Sequence, residues 1–362
     1  MKIALITNIP APYRLPIYER VAQRYGDDFL VIFAAKSESN RSWDFSDFKF
    51  QYLFLKENVK AKKDGFNYVH NNIDVWSKLT TLNPDVVITT GFNPTHLYAW
   101  IYATFFRKKH IPMTDGWIES EKNLSFVHKA VRKIVFITSH AFIGASKNSL
   151  DLFKSYKINE DKLFQSHLCI DNKRFYNEFS FKEREYDLMF SGQFTERKLP
   201  FLFADVAEKV SKHISDLKVL ILGDGPMKEE LFAKLNNCGI NYHYAGFVAQ
   251  EELPKYYSSA KLFLFTTRLD PWGVVVNEAM ASGTPVITTP YAGVINDLLI
   301  DEQNGYILNG DSDIWSKKVI EILKNQDLWQ ILSLNAKESV KEFNFDNAAK
   351  GIIEASEYAY NK

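Results

Sequence analysis

The sequence predicts two doubly wound α/β domains in tandem. Three observations carry this: short apolar runs alternate with helix-period segments, the alternation occurs in both halves, and a polar, unperiodic stretch lies between them. At 362 residues the chain exceeds one comfortable core. Its 46% hydrophobic and 24% charged residues place it among globular chains rather than disordered or fibrous ones.

In the first half the strand candidates are "KIALIT" (2–7), "FLVIFAA" (29–35), "YLFL" (52–55), "DVVITT" (85–90), "IPMTD" (111–115) and "AFIGAS" (141–146). Helix-period segments such as "LPIYERVAQRY" (15–25) and "PTHLYAWIYATFF" (94–106) separate several of them. Runs apolar on both faces with helices between them are the mark of a parallel sheet covered on both sides. The second half repeats the arrangement with "LMFSG" (188–192), "VLILGD" (219–224), "YHYAGFV" (242–248), "LFLFTT" (262–267), "PVITT" (285–289) and "GYILN" (305–309). Helix 200–214 begins on Pro200, favoured in a first turn, and puts Phe203, Val206, Ala207, Val210 and Ile214 on one stripe. The polar stretch 171–187 reads as the linker, giving a first domain over 1–175 and a second over 186–340. Two such sheets are expected to face a cleft with their strand carboxyl ends.

Formal net charge is zero but unevenly spread: residues 1–180 carry 25 Lys and Arg against 18 Asp and Glu, the remainder 19 against 26. The asymmetry reads either as two surfaces with different partners or as drift in solvated surface charge. No nucleic-acid partner is expected. Cys169 and Cys238 are far apart and have no metal-ligand spacing, so neither a disulfide framework nor a zinc site is indicated. "MKIALITNIP" reads as a first strand rather than a signal peptide, and no run approaches ~18 apolar residues. The expected location is cytoplasmic, at most peripheral at the inner face of the cell membrane.

The segment "DPWGVVVNEAMASGTPVITT" (270–289) bears the chemistry. Asp270 follows a buried strand, Gly273 permits close backbone approach to a ligand, and a helix runs from Gly273 to about Ser282 with Gly283 as its C-cap. The free amides of Gly273, Val274 and Val275 make an anion site at the helix start. Glu278, two turns in, can share that site. One carboxylate would take hydrogen bonds from sugar hydroxyls and the other from ribose, with phosphate between them. The plain structural alternative makes Asp270 a helix cap and Glu278 a solvated residue.

This segment resembles the E-x7-E motif of the retaining nucleotide-sugar glycosyltransferases of family four. "FSGQFTERKLP" (190–200) resembles the family's phosphate loop and "ILGDGPMKEEL" (221–231) its G-D-G-P turn. "YAGFVAQEELPKYYSSAKLFLF" (244–265) resembles the stretch before the E-x7-E strand, and "CIDNKRF" (169–175) resembles N-G-V-D-x-x-R-F. The match is strong over roughly the last 200 residues and one of pattern alone over the first 140. It implies the two-domain GT-B fold, retention of anomeric configuration, and neither metal nor cofactor. Lys198 occupies the family's lysine position, so its charge would stabilise the departing phosphate. Asp270, Lys198 and Asp115 are the implied catalytic residues. Glu278, Gly273, Val274, Val275, Gln193, Gly192, Arg197, Gly223, Phe247 and Val248 are the implied donor-binding ones. The final segment 344–360, with its stripe of Ala348, Ile352, Ala355 and Tyr358, is expected to return to the first domain.

The chain departs from the family at three places. Gln193 stands for the usual arginine, leaving Arg197 or Arg14 as replacement cation. Asp270 stands for glutamate, and Asp115 for a histidine after the fifth strand. Tyr13 and Arg14, in the stiff "TNIPAPYRLP" (7–16), are candidate acceptor-side residues, with a packed turn as the alternative. "FFRKKH" (105–110) and "SFVHKAVRKIVF" (125–136) interleave basic and aromatic residues, which suits contact with anionic lipid or ordinary packing on the sheet. The expected activity is sugar transfer from a nucleoside diphosphate to a hydroxyl acceptor, a surface-polysaccharide or lipid-linked glycan precursor. The rivals are a sugar-nucleotide epimerase of this fold and a catalytically silent binding subunit. No pyridoxal lysine context or G-x-G-x-x-G supports a phosphorylase or an oxidoreductase.

Overall fold

Strands such as Ile3–Thr7 and Val86–Thr89 are buried at nearly every residue, which an open sheet achieves only with helices on both faces. In the computed structural model, which describes residues 1–38, 48–61 and 68–362, the chain divides into two units. Unit 1 comprises Met1–Leu168 and Phe345–Lys362; unit 2 is Cys169–Asn344.

Unit 1 contains β1 (Ile3–Thr7), β2 (Phe29–Phe33), β3 (Gln51–Phe54), β4 (Val59–Ala61), β5 (Tyr68–His70), β6 (Val86–Thr89), β7 (Lys109–Thr114), β8 (Phe142–Gly144) and β9 (Leu163–Gln165). Seven of these form one parallel sheet in the order β3-β2-β1-β6-β7-β8-β9. β4 and β5 form a separate antiparallel pair. Unit 2 contains β10 (Tyr186–Ser191), β11 (Lys218–Leu222), β12 (Asn241–Gly246), β13 (Ala260–Phe265), β14 (Val286–Thr288) and β15 (Gly305–Ile307). They form a parallel sheet ordered β12-β11-β10-β13-β14-β15. The order reverses between β1 and β6 in unit 1 and between β10 and β13 in unit 2. Ligands of such sheets bind at the strand carboxyl ends beside that reversal.

The helix Leu15–Tyr25 has the limits its periodicity predicts. Helix Pro200–Ser211 buries Phe203, Val206, Ala207 and Val210, with Ile214 half-buried just beyond it. The final helix, Phe345–Tyr360, buries Ala348, Ile352 and Ala355, while Tyr358 is half-buried and donates to Asp161. It packs within unit 1 on β9 and on Leu15–Tyr25, where Arg20 pairs with Asp346. A Cβ at Gly351 would stand 1.8 Å from the Gln165 carbonyl oxygen, so only glycine lets this helix lie so close to β9.

The stretch 171–187 is not a linker; it is built into unit 2, and the division falls after Leu168 rather than after residue 175. Its polar side chains are used up in docking. Asn172 donates to the Val340 and Phe343 carbonyls, and Asn177 to the Ser282 carbonyl. Buried Arg184 donates to the carbonyls of Ala260, Ser282 and Gly283 and to Thr284. Among the described residues no helix is long and apolar enough to cross a membrane.

Candidate functional site

In unit 2 the loop after β10 interlocks with the turn after β11. Gly192 N–H donates to the Leu222 carbonyl (3.2 Å), Phe194 N–H to Asp224 (3.0 Å) and Met227 N–H back to Phe194 (3.0 Å). Phe194 is fully buried and pins the loop in the core. Gly223 N–H donates to the Gly246 carbonyl (2.8 Å), which draws the segment holding Phe247 and Val248 alongside. Gln193 is half-buried, and its carbonyl accepts from Thr195 N–H; Phe247 is exposed.

One helical turn, Glu196–Lys198, then presents two adjacent cations. Its backbone is tied to the segment following β13: Thr266 Oγ1 donates to the Lys198 carbonyl (2.8 Å) and Arg268 N–H to the Arg197 carbonyl (2.7 Å). Lys198 Nζ thereby reaches Asp270 Oδ2 at 2.6 Å, and Arg197 Nη1 reaches the same oxygen at 2.9 Å. Asp270 Oδ1 accepts from Trp272 N–H at 3.2 Å, so the carboxylate does not cap the following helix. Asp270 is 8% exposed. Burial opposes its charge, but Lys198, Arg197 and these hydrogen bonds outweigh it and hold the carboxyl below its ordinary value. Its backbone is fixed too, by Tyr291 O (3.0 Å) and Gly293 N–H (2.9 Å).

The Phe265 ring lies 4.6 Å below Lys198 Nζ and also fills the space beside Gly273. Gly273 has φ 100°, and a Cβ there would fall 2.6 Å from Phe265 Cε1. Gly273→Ala is therefore expected to destabilise the protein by about 3 kcal/mol, from strained backbone and overpacking together. A urea melt within 0.5 kcal/mol of wild type would contradict it. Gly273 opens the helix Val274–Ala281, whose first amides, at Val274 and Val275, have no intrahelical acceptor. They lie at the positive end of the helix.

Glu278 faces a different set of partners. It is half-buried, hydrogen-bonds Tyr257 and lies near Arg174. The buried Tyr257 hydroxyl is also within hydrogen-bond distance of Ser191 Oγ, at 3.0 Å, at the end of β10. Burial pushes the Glu278 carboxyl up to about 7, against the opposing pull of the Tyr257 hydrogen bond and Arg174. Tyr257 is driven well above its ordinary value by burial and by the same carboxylate. The two acids thus sit in different environments: Asp270 is held ionised among cations, and burial keeps the Glu278 carboxyl at about 7. Tyr257, Ser191 and Phe265 surround these acids and were not singled out by the motifs, since they meet them only in the fold, from a helix and two strand ends.

Tyr13, Arg14 and Asp115 come together in unit 1. They line a cavity of about 230 Å³ with Thr7, Asn8 and Glu38, at the carboxyl ends of β1 and β7. Arg14 donates to the Ser166 carbonyl (3.2 Å). Glu38, which the sequence did not single out, pairs with buried His70 at 3.0 Å. His96 and His110 are pushed down to about 3 by burial and neighbouring histidines, so they are neutral core residues.

Unit 2 therefore combines a parallel sheet with a cation pair after its first strand and a glycine-started helix carrying an acid, in the order that the sequence resemblance implies. Residues 171–339 match the family described as Glycosyl transferases group 1. An uncharacterised glycosyltransferase of Methanocaldococcus jannaschii is 30% identical over 179 residues, covering 48% of this chain and 45% of its own. An α-1,4-N-acetyl-D-galactosaminyltransferase of Campylobacter jejuni, acting on a diphosphoundecaprenol-linked glycan, is 26% identical over 181 residues, covering 49% and 50%. The chain spans about half the length of these curated relatives. The structure of HepE from Anabaena in complex with UDP superposes with a TM-score of 0.78 over 99% of this chain and 100% of that one, at 16% identity, which establishes the fold.

Proposed function

We propose that the protein is a glycosyltransferase that moves a sugar from a nucleoside diphosphate donor to a hydroxyl acceptor, with retention of anomeric configuration and without a metal ion. One observation carries this reading: two cations converge on the Asp270 carboxylate beside the free amides of Val274 and Val275. The cluster keeps one net positive charge, which together with the helix end suits a diphosphate. Lys198 and Arg197 are already in place when the sugar–phosphate bond breaks, so little reorganisation opposes the charge growing on the leaving oxygen. Glu278, once ionised, accepts hydrogen bonds from ribose hydroxyls. The UDP bound by HepE and the undecaprenol-linked glycan used by the Campylobacter relative favour a uridine diphosphate donor and a lipid-linked or polysaccharide acceptor. Asp115, Tyr13 and Arg14 supply polar contacts for such an acceptor.

A screen of nucleoside diphosphate sugars by thermal shift and hydrolysis tests this. A true donor at a hundred times its Kd adds about 2.7 kcal/mol of stability. If no donor raises the melting temperature and none is consumed, the reading fails. The product's anomeric proton coupling checks retention, and an inverted product would refute it. Turnover is expected to be unchanged in EDTA, because side-chain cations carry the neutralisation; loss of activity restored by magnesium would overturn that expectation.

A further inference from the structure

The helix Phe126–Ile137 in unit 1 carries apolar residues on the wrong side for a core helix. At about 100° per residue, Phe126, Val127, Ala130, Ile134 and Ile137 share one arc about 100° wide. This arc faces solvent: Phe126 is 85% exposed and Ile137 72%, and Val127 and Ile134 are also exposed. The opposite arc, with Arg132, Val135 and Phe136, supplies the burial against the sheet, and Arg132 is locked there by Glu121 at 2.7 Å. Lys129 and Lys133 border the exposed arc on one side. Residues 122–137 hold four Lys or Arg and no Asp or Glu.

The neighbouring helix, Pro94–Phe105, repeats the pattern. Trp100 Nε1 donates to Thr138 Oγ1 at 2.8 Å and joins the two helices. They precede and follow β7 as successive crossovers of one parallel sheet, so they lie on the same face of it. Ile101 and Phe105 of this helix are exposed, and Arg107 and Lys108 follow directly. Two separate helices thus present apolar side chains edged by cations on one sheet face. An apolar patch of this kind marks an interaction surface, and its charge selects the partner.

We infer that this face docks on an anionic lipid bilayer, with Phe126, Val127, Ile134 and Ile137 entering the headgroup–acyl boundary and the lysines meeting lipid phosphates. A 12-residue helix about 18 Å long, apolar on one arc and basic beside it, suits lying in the interface plane. Lysine stems can run along the apolar edge while their ammonium groups stay at headgroup level. Asp115 of the unit 1 cavity lies only eleven residues before Phe126 in the chain, and Glu121–Arg132 clamps the intervening segment to the docking helix. A lipid-linked acceptor held in that bilayer would therefore start near the cavity that carries Asp115.

The test is flotation of the full-length protein with vesicles of phosphatidylcholine alone and of phosphatidylcholine with phosphatidylglycerol at 7:3. Binding is expected only to the second, and to weaken with salt. Lys129→Gln/Lys133→Gln should bind roughly 25-fold more weakly, at about fivefold per surface lysine. Ile134→Ser/Ile137→Ser should lose binding by at least ~10-fold. Both pairs are exposed, so thermal melts of these variants should match wild type. Wild-type protein that fails to float with anionic vesicles, or variants that float equally well, would overturn the inference. So would a concentration-dependent dimer in sedimentation that Ile134→Ser/Ile137→Ser dissolves. The donor-induced thermal shift is measured separately on the same variants, so failure of the sugar-transfer reading leaves the vesicle result standing.

Discussion

Lys198→Ala is expected to cut turnover at saturating donor by roughly a hundredfold or more, with a much smaller change in donor affinity. The lysine acts on charge that develops as the diphosphate leaves, and loss of one preorganised donor to such charge typically has that effect. The same change weakens the fold, because Lys198 balances a buried carboxylate at 2.6 Å. Stripping a buried ion of its partner costs about 3–5 kcal/mol. Here Arg197 remains on the same oxygen, so a loss nearer ~2 kcal/mol is expected. Pairing Lys198→Ala with Asp270→Asn separates the two effects: stability should recover in the double variant while turnover stays low. Single-turnover kinetics and urea melts read both. If Lys198→Ala turns over normally, Arg197 is the phosphate partner and the assignment of Lys198 falls.

Glu278→Gln is expected to stabilise the empty protein at pH 8 and weaken nucleotide binding at the same pH. With its carboxyl pushed up to about 7 from an ordinary 4.5, the folded protein binds more protons than the unfolded chain between those values. Stability from this group is therefore intact below about pH 4.5 and lost as pH rises through 7. The loss amounts to about 3 kcal/mol at full burial, and less because the residue as a whole is only half-buried. Glutamine does not titrate, so the variant should melt higher than wild type at pH 8 and alongside it at pH 4.5. Its nucleotide affinity should fall roughly tenfold to a hundredfold, the worth of a charge-assisted hydrogen bond. Wild-type affinity should rise between pH 6 and pH 8 as the carboxylate forms. Titration calorimetry across that range decides; an affinity flat in pH and equal in the variant would remove Glu278 from the nucleotide site.

Much of the architecture was legible because its signals are local. β1 and β6 are continuous apolar runs, and helix Leu15–Tyr25 has one apolar stripe and ends at a glycine. β4, β5 and β9 escaped because a three-residue strand is defined by its partner: β9 exists through β8 and the helix lying across it. The stretch 171–187 looked like a linker since polarity alone cannot separate solvated side chains from ones spent on backbone carbonyls, as Asn172 and Arg184 are. In the candidate site, Asp270 stood out by its place between strand and helix, and Lys198 and Arg197 by the resemblance alone; that both cations would seize one oxygen was not legible. Nor were Glu38 and Tyr257, because their surroundings come from segments distant in the chain.

The return of helix Phe345–Tyr360 makes unit 2 an insertion within unit 1. During synthesis unit 2 is continuous and can fold as soon as residue 344 has emerged, whereas unit 1 stays open until its closing helix arrives. At 5–20 residues per second, making residues 169–344 takes roughly 10–35 s. Through that interval the surface around Gln165 and β8 waits uncovered, and Leu15–Tyr25 lacks the partner it meets across more than 300 residues of chain. Such distant contacts form late and carry the greatest loop-closure entropy. The nascent chain is therefore most exposed to aggregation and proteolysis in the part of unit 1 made first, and it gains its protection from the helix made after unit 2.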